Sequence, residues 1–234
     1  ALAVYILTNE NLKHYRIFQE LHRVRPRILK ELAWVGVPIG LFSGLETGFF
    51  MVITFWMGLL GTEVLAAHQI VFQTIVVVFM VPLGISYATT VRVGQWLGRR
   101  DRPGIQQAAL VSMSVTTIFM IGVSTIFLFF PQFIIGLYID ITNPANANIV
   151  AIALPLLIIA AIAQVLDGFQ KAVYGSLQGL QDTQIPMLLN VLGYWGVGLS
   201  AGYGLGFQLQ MGGVGLWIGQ SVAIAVVAGL FIWR

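Results

Sequence analysis

Two carboxylates stand where a carboxylate is costly: Glu46, inside the apolar stretch 32–57, and Asp167, inside the apolar stretch 149–178. A charged side chain at the centre of a bilayer costs about 2.5–3.5 kcal/mol or more when it faces lipid, so each acid is expected to face a bundle interior or a wet cavity. Two such acids on different helices suit a cation or proton site. They offer hard oxygen ligands for an alkali cation such as sodium, or a carboxyl able to load and release protons. Glu46 and Asp167 are therefore the candidate coupling-ion ligands. A plainer role stays open for each: Glu46 as a hydrogen-bonding link to a neighbouring helix, and Asp167 as the partner of Lys171, one helical turn along.

Asp167 does not stand alone. In IAQVLDGFQKAVYGSLQG, Gln164, Gln170, Lys171 and Tyr174 recur at helical spacing around it, which makes a polar patch on a membrane helix. Gln164 and Tyr174 join the candidate cavity residues. Gln69 and Gln73, in LAAHQIVFQT, are one turn apart. Amides line a wet path without the penalty of a charge, and bonding between helices is their alternative role. Phe79, deeper in the same stretch, is read as packing or as a ring beside a cation. His68 is read as an interface residue rather than a ligand. Pro82 and Pro155 lack an amide proton inside long apolar stretches, so both are candidate hinges.

The elements that must position these side chains are transmembrane helices. Hydrophobic residues make up 58% of the chain and charged residues 9%, with a mean hydropathy of +0.87. Soluble domains carry about 25% charged residues. The basic balance, +3 with a pI near 9.4, sits in loops and helix ends, where it reports topology and not a nucleic-acid partner. There is no cysteine, hence no disulfide framework and no thiolate metal site. No Walker motif supports ATP-driven transport, and GYGLG lacks a strand–turn–helix setting. Neither acid lies in the GxGD setting of an intramembrane aspartyl protease, so the chain is not read as an enzyme, and no cofactor is expected.

Six spans are expected, at about 32–57, 65–96, 105–130, 149–178, 187–206 and 214–233. Residues 1–8 are read as the end of a preceding transmembrane helix. Residues 9–31, with Lys13, Arg16, Arg23, Arg25, Arg27 and Lys30, are read as a basic cytoplasmic connector, and residues 32–234 as a six-helix lobe. Threading the spans alternately through a bilayer puts all 12 Lys and Arg residues on one side, Lys171 and the terminal Arg234 included. By the positive-inside rule that side, and the C-terminus, are cytoplasmic. Gly36, Gly40, Gly44 and Gly48 form a small-residue track, expected to pack against a neighbouring backbone with Glu46 on the opposite face.

The stretches GVPIGLFSGLETGFF, GTEVLAAHQIVFQT, MVPLGISYATTVRVGQWLGRRD and LDGFQKAVYGSLQGLQDTQIPM follow one another over residues 26–233. Taken together they resemble the multidrug and toxic compound extrusion (MATE) family, in its NorM-type bacterial branch. The resemblance implies an all-α integral membrane fold of twelve helices in two pseudo-symmetric lobes, of which this chain looks like the C-terminal one. It implies an antiporter of the bacterial inner membrane that expels organic cations or drugs against sodium or protons. Its expected partners are membrane lipid and the N-terminal six-helix lobe that this chain lacks. The family's coupling acids fall on Glu46 and Asp167, its drug cavity on Gln69 and Gln73, and an aromatic beside the cation on Phe79. Three other classes remain: a flippase for lipid-linked precursors, which should carry Arg or Lys inside its cavity, a membrane structural subunit, and a passive channel, which would conduct without saturable exchange.

Overall fold

The computed structural model describes residues 25–234, so the helix end expected at 1–8 and the connector as far as residue 24 lie outside the described residues. The chain divides into two units, 1–37 and 38–234, with the boundary inside the first helix. That helix, α1 (Pro26–Leu59), opens on a proline, whose missing amide proton costs nothing at a helix start. It begins six residues before the apolar stretch does. The extra segment, PRILKE, is interrupted by charges and carries an Arg27–Glu31 pair at 3.4 Å, at the i,i+4 spacing that supports a helix.

Gly61 turns the chain after α1 with φ 125°, a backbone conformation that a side chain would strain. α2 (Thr62–Gly98) and α3 (Arg102–Phe129) follow. Asp101 caps α3 by accepting a hydrogen bond from the Gly104 amide at 3.1 Å. Replacing Asp101 by Ala is expected to cost about 0.5–2 kcal/mol, read as a lower thermal midpoint of the purified protein. A short α4 (Pro131–Gly136) leads into a loop in which the Thr142 amide and hydroxyl both donate to Asp140, at 2.9 and 2.7 Å. Those bonds hold the Asp140 carboxyl below its ordinary pKa. Then come α5 (Ala147–Gly179), a composite fifth span and α8 (Gly212–Trp233).

The fifth span is α6 (Gln184–Asn190), a π-helical stretch (Val191–Gly198), α7 (Leu199–Tyr203) and a second π stretch (Gly204–Gln208). Hydropathy predicts a single span over 187–206, whereas the structure runs 184–208 and widens its turns twice. Among the described residues six helices or helical runs are long and apolar enough to cross a membrane, and there is no strand. The architecture is the expected all-α six-helix bundle.

Within the second unit, α5 is the central helix, packed against α2, α3 and α8. Backbones come close where glycine leaves room. A Cβ on Gly175 would lie 2.5 Å from the Ser86 carbonyl oxygen of α2, and one on Gly219 of α8 would lie 2.4 Å from the Gly202 backbone. The α1 glycines behave otherwise. Added Cβ atoms at Gly40 and Gly44 would meet nothing within 4 Å, and only Gly48 is approached, by the Trp195 ring at 3.2 Å. α1 instead packs through Phe42, Phe49, Ile53 and Met57, which are buried on the opposite stripe. The close backbone contacts expected on α1 are therefore made by α5 and α8.

Candidate functional site

Helical periodicity on α5 gathers the polar groups. Gln164, Asp167 and Lys171 stand at i, i+3 and i+7, on one face, and all are buried. That face forms one wall of a cavity of about 620 Å³, whose other walls come from α1, α2 and α8. α1 contributes Glu46, α2 contributes Gln69 and Phe79, and α8 contributes Trp217 and Gln220. Both predicted acids thus face one cavity.

Their partners differ. The Lys171 ammonium donates to both oxygens of Glu46, at 2.9 and 2.8 Å. Sequence spacing offered Asp167 as the partner of Lys171; the hydrogen-bonded pair forms across the bundle with Glu46 instead. Asp167 keeps a buried oxygen, Oδ1, with no hydrogen-bond partner. Both amide atoms of Gln164 and Oε1 of Gln220 are likewise buried and unpartnered. Three of these four atoms are oxygen acceptors, the hard donor type that suits an alkali cation. Among the described residues no three His, Cys, Asp or Glu side chains converge as a metal cluster.

Lys171 has a second set of neighbours. Its Nζ lies 5.3 Å from the Phe42 ring centre, 5.2 Å from Phe79 and 5.9 Å from Tyr174. Phe42 and Tyr174 stack with centroids 3.9 Å apart. Tyr174, buried against Phe42, is not among the residues that line this cavity.

Gln73 is placed differently from Gln69. It is exposed and outside the cavity, whereas Gln69 lines it. The cavity face of α2 runs through Gln69, Phe72, Val76, Phe79 and Leu83 in steps of three and four, and a residue four after Gln69 is already rotated about 40° away from that line. His68 is buried, with Nε2 3.0 Å from the Thr54 hydroxyl and its ring beside Phe72 and Trp217. It is an interhelical residue, as expected. Pro82 is buried in α2 and Pro155 half-buried in α5, each inside a continuous helix.

Sequence reasoning counted Lys171 as a marker of topology. The signal against that reading is its depth: it lies eight residues, about 12 Å, before the end of α5, and points inward. Also missed is Trp195, whose indole Nε1 donates to the Leu45 carbonyl at 3.0 Å and ties the π-helical stretch to α1 beside Glu46.

The MatE family model matches residues 38–204. A probable multidrug resistance protein NorM from Synechocystis sp. is 49% identical over 234 residues, which is 100% of this chain and 51% of that protein. One from Synechococcus sp. is 45% identical over 233 residues, 100% of this chain and 50% of that protein. The chain thus spans about half the length of these curated relatives. A solved eukaryotic MATE transporter superposes with a TM-score of 0.83 over 99% of this chain and 51% of its own, at 21% identity, a likeness of fold. The six helices correspond to half of that twelve-helix architecture, and the family is one of transporters, not enzymes. A family match over most of the lobe, relatives alike along its whole length and a shared helical fold agree: the chain belongs to the MATE family.

Proposed function

We propose that the chain is the C-terminal lobe of a secondary antiporter that exports organic cations or drugs in exchange for sodium or protons. The observation that carries this reading is a single aromatic-walled cavity faced by two carboxylates, Glu46 and Asp167. The names of the NorM relatives, as probable multidrug resistance proteins, support it. Since Lys171 already neutralises Glu46, Asp167 is the acid with an oxygen free to meet an incoming cation. A drug cation held there, with Gln69, Gln164 and Phe79 along the wall, leaves when sodium or a proton neutralises the carboxylate. The loaded lobe then rocks against an N-terminal partner lobe, with Pro82 and Pro155 as bend points. Such an exchange moves the protein only through the differential affinity of drug and coupling ion for its two states.

On the same reading the protein sits in a bacterial inner membrane with its C-terminus in the cytoplasm. Lys171 drops out of the positive-inside count, and the other Lys and Arg residues keep the same sidedness.

Lys171 in the cavity is the feature a flippase for anionic lipid-linked precursors would need. Two carboxylates outnumber that single ammonium in the lining, which favours a cationic substrate. The test is dye binding to the full two-lobe protein, wild type beside Asp167→Asn, titrated with sodium at fixed pH and with pH at fixed sodium. The expected result is competition between dye and coupling ion in the wild type. In the variant it should be weakened by about tenfold or more, equivalent to ~1.4 kcal/mol. Unchanged competition in a folded variant would return Asp167 to a structural role.

A further inference from the structure

The surroundings of Lys171 resemble a binding site more than a simple ion pair. Its ammonium is held by both oxygens of Glu46 and lies within cation–π distance of Phe42, Phe79 and Tyr174. A carboxylate together with several aromatic faces within about 6 Å of a cation is the chemistry that recognises alkylammonium groups. The pocket is built and not incidental: Phe42 is 1% exposed and fixed by its stack on Tyr174. It also opens on the cavity, because Glu46, Phe79 and Lys171 all line that space.

We propose that Lys171 is a tethered competitor, whose ammonium fills an alkylammonium subsite made by Glu46, Phe42 and Phe79 until a substrate's own ammonium group displaces it. This deepens the antiport reading, on which it rests for the direction of transport but not for the existence of the subsite. A lysine suits the task, since its charge sits at the end of a flexible four-carbon stem that can swing out into the cavity. Being covalently attached, it competes at a high effective concentration whatever the free ligand concentration. Small ammonium ions are therefore kept out. A substrate that enters must add contacts elsewhere, for instance with Trp217 or Phe50 on the cavity wall. In this way the lysine sets specificity, favouring large lipophilic cations over small hydrophilic ones.

The experiment measures tetramethylammonium binding to the full two-lobe protein as wild type, Lys171→Ala and Lys171→Met. Removing the side chain in Lys171→Ala empties the subsite, and tetramethylammonium should bind at least about tenfold more tightly than to wild type. Lys171→Met refills the same space with an uncharged chain of similar length, so it should keep the packing, lose only the stability of the ion pair, and show a smaller gain. Adding Phe79→Leu to Lys171→Ala should abolish most of the gain, because the ring supplies part of the recognition. Unchanged or weaker tetramethylammonium binding in folded Lys171→Ala overturns the inference and leaves a structural ion pair. A gain that survives Phe79→Leu intact overturns it too, because charge alone would then explain the effect. Sodium–dye competition, measured on the same samples, reports separately on antiport, so either reading can fail without the other.

Discussion

Glu46→Gln is expected to lower the stability of the purified two-lobe protein by about 3 kcal/mol, because it leaves the Lys171 ammonium buried without its counter-charge. Removing one partner of a buried ion pair costs about 3–5 kcal/mol. The lower figure applies here since Asp167, one turn away on α5, is placed to compensate in part. The two partners are not equivalent. The Lys171 side chain is 6% exposed and that of Glu46 14%, so the carboxylate orphaned by Lys171→Met keeps more access to the cavity and should cost less. The double variant Glu46→Gln/Lys171→Met buries no unpaired charge and should recover most of the loss. A thermal-unfolding cycle of the four proteins gives the coupling directly. Additive single effects would mean that the 2.8 Å pair contributes nothing.

The positions of both acids were legible because the bilayer penalises a carboxylate so heavily that each one needs a reason. The six spans were legible for the same kind of reason, as long apolar runs between polar turns. Their ends were less so. α1 already starts at Pro26, in a segment broken up by Arg27, Lys30 and Glu31, which a hydropathy window cannot register as helix. The pairing of the charges was not legible. Local spacing offered Asp167 to Lys171, and the partner chosen, Glu46, lies 125 residues away. Which glutamine of α2 lines the cavity turned on a rotation of about 40°, finer than a pattern of polar residues resolves. The glycines of α1 suggested close packing, but small residues permit an approach without requiring one. Where backbones do meet, at Gly175 and Gly219, the sequence held the same residue type with no distinguishing mark.

The second large effect is expected at one of those positions. In Gly219→Val the new Cβ would start 2.4 Å from both the Cα and the amide nitrogen of Gly202. The atoms in the way are backbone, in the helical turn between the two π stretches, so no side chain can swing aside to make room. Overpacking a close-packed site costs about 1–3 kcal/mol and occasionally more, and a backbone obstacle puts this variant at 3 or above. Gly122→Ala, on α3, is the control. Its added Cβ would meet nothing within 4 Å, so it should be neutral or gain about 0.5–1 kcal/mol from better helix propensity. Equal thermal midpoints for the two variants would mean that α8 and the fifth span do not approach so closely. The milder Gly219→Ala connects this contact to function. Gly219 lies between Trp217 and Gln220, both on the cavity wall, so pushing α8 off its neighbour displaces that wall. Dye affinity should then fall in Gly219→Ala even in the fraction that folds, with Glu46, Asp167 and Lys171 untouched.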